Sequence, residues 1–209
     1  MSLGVRAQES SLSGIFGQGE RLCMPPYQRS YSWGEREALD LLGDLAEATD
    51  SSIPHFIGAV VLVNGAETGL VEIVDGQQRL TTLTILLAVL RDLETDKERA
   101  TALHAMIADD ARPMLGEAAN WRLTLNYMDG AFFRDTIQRI GATKSLQNEP
   151  GESDSQQRMV GNATALLKEL KKMSDERRRA LTDTVVSGCA LVRVVVNDKD
   201  QGFKVFRVL

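Results

Sequence analysis

The stretch that most limits what this chain can fold into is Val71–Leu90, VEIVDGQQRLTTLTILLAVL. A β-branched run ends in Asp-Gly and passes, through a few polar residues, into an apolar segment of helical length. Strand, turn and helix signals in direct succession predict a sheet whose edge meets a helix N-terminus at Gly76. From Leu80 to Leu93 apolar residues fall on nearly every side of the helical wheel, so this helix is predicted to be central, packed on the sheet and covered by other helices.

The flanking sequence supplies the rest of an α/β (α+β) architecture. Ser32 and Glu35 have capping-box spacing before a helix over about 34–48 with one apolar stripe. HFIGAVVLV and LVEIV, separated by NGAETG, form a hairpin. Thr95 and Glu98 repeat the capping-box spacing before a helix to about Ala108, and DGAFFRDTIQRI begins another near Asp129. Residues 141–157 lack periodicity and are expected to be an exposed loop. Helices at about 158–172 and 175–187 precede the strand ALVRVVV and the helix-like DKDQGFKVFRVL, inside which the sequence breaks off. Asp198 and Asp200 can approach the hinge at Gly76 or cap that last segment, and capping is the expected role.

Composition removes several function classes. With 209 residues, 43% of them hydrophobic, the chain can bury a core without staples. Cys23 and Cys189 are far apart and no signal-like segment precedes them, which points to a reducing, cytoplasmic setting with both thiols as buried packing residues. The apolar run LTILLAVL is too short to span a bilayer, so no membrane partner is expected. A net charge of −5 argues against sequence-blind DNA binding through a basic face. The cluster KELKKMSDERRRA is interrupted by carboxylates and reads as a solvated helical surface.

Two constellations carry chemistry. At the hinge, backbone N–H groups and the positive helix end make an anion site that phosphate fits. Gly76 lets the backbone turn, Arg79 can fork two hydrogen bonds to phosphate, Gln77 and Gln78 can orient water, and Asp75 can hold Mg2+ or cap the helix. The alternative is local: Asp75 caps, Gly76 turns, and Arg79 pairs with an acidic neighbour. A P-loop and a Gly-x-Gly-x-x-Gly fingerprint are both absent. The second constellation is MPPYQRSYSW, residues 24–33, where two prolines are expected to hold the chain extended. Tyr27, Tyr31 and Trp33 beside Gln28 and Arg29 can form a stacking surface for a base, or Tyr27 and Trp33 can close the core edge. Tyr27 and Arg29 reach one ligand only if the chain turns at Gln28. His104, outside any motif, is expected at the surface.

In order and spacing, PPYQRSYSW, HFIGAVVL and VDGQQRLTTL resemble the N-terminal domain of the GmrSD-type restriction endonucleases, the DGQQR family of phage-defence proteins. The resemblance runs the length of the chain and includes VRVVVNDKDQGFKVFRVL, which in the family continues into an Asn-x-Arg-Gly turn. It implies a ParB/sulfiredoxin-like small mixed sheet with a central helix after the DGQQR loop, plus a helical lobe. The division it suggests is a nucleotide-binding core over 1–95, a helical lobe over 96–188, and a strand and helix over 189–209 that return to the core, with the nuclease region absent. It further implies an NTPase that binds GTP or ATP with Mg2+ and regulates a restriction system acting on modified DNA, while an HNH-type nuclease domain or subunit cuts. The alternative is a module that recognises DNA modification without hydrolysis.

Under the resemblance Asp75, Gln77, Gln78 and Arg79 are the catalytic candidates, with Asp75 also the Mg2+ candidate. Tyr27, Gln28, Arg29, Gly76 and Arg79 bind nucleotide, and Tyr27, Arg29, Tyr31, Trp33 and His55 are candidates for sensing DNA modification. His55, in the family's His-Phe-x-Gly segment, is at least as well read as a structural residue. A homo-oligomer stays open.

Overall fold

In the computed structural model, residues 5–17, 19–51, 55–64, 69–109, 119–146, 151–196 and 202 are described. Their architecture is a mixed sheet with most helices packed on one face, while helical Gly202 lies against Val74 and Val196 on the other. Strand β1 (Val5–Ser10) leads into the short helix α1 (Leu12–Phe16), then β2 (Arg21–Cys23) and α2 (Glu35–Thr49). The hairpin β3 (His55–Asn64) and β4 (Leu70–Asp75) runs into α3 (Gln77–Leu93). Next come α4 (Lys97–Ala105), the two-residue strands β5 (Ala108–Asp109), β6 (Asn120–Trp121) and β7 (Leu123–Thr124), and α5 (Gly130–Phe133). Finally α6 (Asp154–Leu170) and α7 (Asp175–Asp183) precede β8 (Cys189–Val196). The main sheet has the order β1-β8-β3-β4-β2-β7, and β5 pairs with β6 apart from it. The edge pair β1/β8 and the central pair β3/β4 are antiparallel, whereas β8/β3, β4/β2 and β2/β7 are parallel.

The expected hairpin forms, with Leu62 opposite Ile73 and Val61 opposite Asp75. Side-chain alternation then sorts the sheet's two faces. Cys189 and Leu191 of β8 join the large core, while Val194 and Val196 join a small valine cluster with Val61, Val63 and Val74 on the opposite face. In β3 the parity changes midway, from Ile57 to Val60 and Leu62 on the large-core face. The cause is an irregularity between Phe56 and Ala59 in the pairing with β8, where Gly58 adopts φ +108°. A bulge of this kind re-aims the strand, and here it faces the N-terminus of α3.

Helix α3 is buried on all sides, as the lack of a polar face predicts. Its threonines tolerate burial because Thr81, Thr82 and Thr84 each donate a hydroxyl to the carbonyl four residues earlier, at 2.8–2.9 Å. At its far end Arg91 and Asp92 are also buried. The Arg91 guanidinium donates to Gln138 O at 2.6 Å and Arg139 O at 2.7 Å, carbonyls at the end of a π-helical turn over Arg134–Gln138. Asp92 accepts from Gly141 N, Thr143 N and Thr143 Oγ1.

Several local expectations are corrected. Helix α2 begins one residue late: its N-cap is Gly34, whose N–H donates to the Glu37 carboxylate at 2.8 Å, so the Ser32/Glu35 box does not form. Asp96, not Thr95, caps α4, which stops at Ala105 because Ala108–Asp109 pairs as a strand. His104 is buried, its Nδ1 3.3 Å from Arg91 Nη1, because α4 packs on the polar end of α3. The helix expected from Gly130 is one α-helical turn followed by the π-helical turn. Within 141–157, Thr143 is buried beneath Asp92's hydrogen bonds and α6 already starts at Asp154.

Helix α7 gives way to a second π-helical turn, Thr184–Gly188, where helix 175–187 was expected. Cys189 is buried, but Cys23 is only half-buried. The segment 96–188 also contributes β7 to the main sheet. The basic cluster is charge-paired: Arg177 bonds Asp50, Arg178 bonds Asp175, and Arg179 bonds Glu94 at 2.8 Å. Asp198, Asp200 and, apart from Gly202, the final helix-like segment lie outside the described residues. Among the described residues no helix is long and apolar enough to cross a membrane.

Candidate functional site

Three parallel neighbours, β4, β2 and β7, end at the same edge of the sheet. From the end of β4 the chain turns through Gly76 into α3, and from the end of β2 it enters PPYQRSYSW. Between them lies a cavity of about 630 Å³ lined by Gln28, Arg29, Trp33, Val74, Asp75, Gly76, Gln77, Gln78 and Arg79. That volume lies in the range of small-molecule sites, roughly 300–1,000 Å³.

Gly76 is required by its backbone. Its φ of +89° is left-handed, and an added Cβ would come 3.1 Å from Ala59 O and from Val60 Cγ1. Because the N-cap is a glycine, no side chain caps α3, and Asp75 does not take that part. The first N–H groups of the helix therefore face the cavity mouth without an internal acceptor.

The two glutamines have different jobs. Gln78 is spent on architecture: its Oε1 accepts from Ser32 N at 2.7 Å and Trp33 N at 3.2 Å, pinning the aromatic segment to α3. Gln77 is only 7% exposed, lines the cavity, and its Oε1 has no hydrogen-bond partner among the described residues. A buried acceptor left unpaired costs roughly 1–3 kcal/mol, a cost that a bound donor removes.

Arg79 also lacks a tether. Among the described residues no hydrogen bond or ion pair holds its guanidinium. Desolvation by burial pulls its pKa below the ordinary arginine value, with the Asp75 charge pushing back. The guanidinium lies over Gly58, where an added Cβ would be 2.6 Å from Nη1. Gly58 was not anticipated as a site residue; its only sequence signal is its place in the HFIG segment.

The aromatic segment is not extended throughout. Gln28 N donates to Pro25 O at 3.1 Å, closing a turn, and Gln28 Nε2 donates to Val74 O at 2.9 Å, tying it to β4. Arg29 and Trp33 consequently line the cavity, whereas Tyr27 stands outside it, 51% exposed. Tyr31 is not part of any exposed stacking surface. It is buried, hydrogen-bonded to Thr82 Oγ1 and Asn162 Nδ2 at 2.7 Å each, and burial pushes its pKa up to about 12. His55 opens β3 opposite Cys189 and is not among the residues lining the cavity.

Among the described residues no group of three or more His, Cys, Asp and Glu side chains is placed to hold a metal ion. Among the described residues Asp75 is the one carboxylate lining the cavity. A single carboxylate suits Mg2+ bound mainly through phosphate and water oxygens.

A family sequence model described as "GmrSD restriction endonuclease, N-terminal domain" matches residues 12–209. Among curated proteins no match is found.

Proposed function

The chain belongs to the GmrSD restriction endonuclease N-terminal domain family, and from that premise we propose that it is the NTP-binding and hydrolysing regulatory domain of a phage-defence system acting on modified DNA. Cleavage is carried by a separate HNH-type domain or subunit. The observation that carries the nucleotide reading is the cavity at the uncapped N-terminus of α3, where an untethered Arg79 and an unpaired Gln77 acceptor meet.

A triphosphate lying across that terminus is held by backbone N–H groups and by Arg79 and Arg29, each forming charge-assisted bonds to phosphate oxygens. Gln77 Oε1 accepts a hydrogen bond from the attacking water and aims its oxygen at the γ-phosphorus, while the proton that the water gives up passes to a γ-phosphate oxygen. The new P–O bond forms as the bond to the β–γ bridging oxygen breaks, releasing diphosphate nucleotide and inorganic phosphate. Catalysis here is positioning and charge neutralisation, the usual demand of phosphoryl transfer. Asp75 would hold Mg2+, which when bound supplies further neutralisation of phosphate charge. Gln28, anchored on Val74, fixes the wall beside Arg29.

Phosphate release from GTP and from ATP, measured with and without magnesium, tests this reading on the wild type and on Asp75→Asn. The amide keeps the size of the side chain but not its charge, so turnover should fall further than affinity. Equal turnover in both proteins removes Asp75 from the mechanism, and no release by the wild type overturns the hydrolytic reading. The second reading, recognition of DNA modification without hydrolysis, is favoured by the exposed Tyr27 beside Arg29. Modification-selective DNA binding by a chain that releases no phosphate supports it.

A further inference from the structure

The sheet edge that holds the cavity has a third loop. Strand β7 is the parallel neighbour of β2, joined by Leu22 N to Arg122 O at 2.8 Å and Met24 N to Thr124 O at 2.9 Å. The chain leaving β7 therefore emerges beside the chain leaving β2. There, Tyr127 and Met128 are 84% and 61% exposed, between Asn126 and Asp129, which are both buried. An aromatic and a thioether in water at a turn are unusual, since such positions ordinarily carry Gly, Asn, Asp or Ser.

The tip is held rigidly. Asn126 Oδ1 accepts from Met128 N and Asp129 N at 3.2 Å, and Gly130 N donates to Asn126 O at 2.8 Å. Below, Ser155 Oγ donates to Asp129 Oδ1 at 2.7 Å. These bonds fix the backbone of the turn while leaving both apolar side chains outward.

We propose that Tyr127–Met128 is a DNA-contacting wedge that extends the binding edge of the Arg29/Arg79 site, packing on or between bases. The inference rests on the reading that the protein acts on DNA. Two adjacent side chains are far smaller than a protein docking face, roughly 800 Å² per partner, but match the apolar wedges and stacking platforms that proteins present to bases. The order β4-β2-β7 sets this tip on the side of the β2 loop away from Gly76, outside the cavity that holds Arg29. The exposed carboxylates Glu152 and Asp154 stand just before and at the start of α6, next to the tip's anchor Ser155. The tip's contribution is therefore stacking rather than phosphate neutralisation.

The test uses the full chain with a fluorescent duplex oligonucleotide and the same sequence single-stranded, titrated at several salt concentrations. Tyr127→Ser/Met128→Ser should retain the wild-type melting temperature and nucleotide affinity. Its DNA affinity should fall at least about fivefold, the lower end of one stacked base, with an unchanged slope against log salt. Wild-type binding with no loss in the variant overturns the wedge and leaves the DNA reading standing. Failure of the wild type to bind either oligonucleotide overturns both. Unchanged DNA affinity with altered self-association in sedimentation assigns the tip to protein contact instead.

Discussion

Gly58 of β3 and Arg79 of α3 share one space: the guanidinium lies where a side chain at 58 would begin, 2.6 Å from the position of its Cβ. The distal end of an arginine is flexible, so Gly58→Ala should evict Arg79 from its seat. The left-handed φ of +108° adds a strain of about 1–3 kcal/mol. Nucleotide affinity should fall about tenfold or more, toward that of Arg79→Ala, since a charge-assisted bond contributes roughly 1.5–3 kcal/mol. Isothermal titration of both variants, alongside their melting temperatures, checks this. Unchanged affinity in a folded Gly58→Ala protein would detach Arg79 from the ligand.

Gln77 and Gln78 are neighbours with opposite predicted phenotypes. Gln78→Ala strands the Ser32 and Trp33 N–H groups and should destabilise the fold by about 1–3 kcal/mol. Gln77→Ala removes an unpaired acceptor, so stability should hold or rise while phosphate release falls. Urea denaturation with equal m-values reads the first, and turnover reads the second.

Gly76→Ala meets the Ala59 carbonyl and the short, branched Val60 side chain rather than the far end of a flexible one. With Ala59 O and Val60 Cγ1 each 3.1 Å from the added Cβ and a φ of +89°, the turn must distort. A loss of about 1–3 kcal/mol, visible as a lower denaturant midpoint, is expected.

Glu94 sets an acid limit. The Arg179 side-chain bond, helped by the Asp96 and Thr95 N–H groups, pulls its carboxyl from 4.5 to about 2 against the cost of desolvation. A depressed carboxyl stabilises the fold fully above pH 4.5 and loses that contribution as pH falls toward 2. Glu94→Gln should therefore be less stable than wild type at neutral pH, with the gap narrowing through that window. A gap independent of pH would mean that the charge is not what matters.

Tyr31 sets an alkaline one. Burial raises its pKa from 10.0 to about 12, so the folded state keeps a proton that the unfolded chain gives up. Stability tied to Tyr31 is complete below pH 10 and declines as pH rises toward 12. Phenolate absorbance should show one late-titrating tyrosine, missing in Tyr31→Phe.

What the sequence determined by itself are the elements whose signal is local. The apolar, β-branched run HFIGAVVLV gave β3, the unbroken apolar wheel gave a central α3, and Asp-Gly between strand and helix gave the hinge with Gly76 at the turn. Each depends on residues within a few positions of one another. The quoted motifs likewise pointed to the family that the chain proves to belong to.

Tertiary structure decided everything that depends on distant partners. Strands of two or three residues such as β2 and β7 have no detectable period; they exist because ladder bonds such as Leu22 N to Arg122 O join segments about a hundred residues apart. Gln77 and Gln78 are chemically identical, and only the arrival of Ser32 and Trp33 beside one of them made it structural and left the other open to ligand. Tyr31 looked like part of an exposed aromatic surface until Thr82 and Asn162 supplied buried partners for its hydroxyl. His104 and Arg91 were drawn inward because a π-helical turn elsewhere in the chain placed two carbonyls where a buried guanidinium could meet them. The pairing energy that settles a polar side chain's fate lies with its partner, and the partner's position is set by the fold.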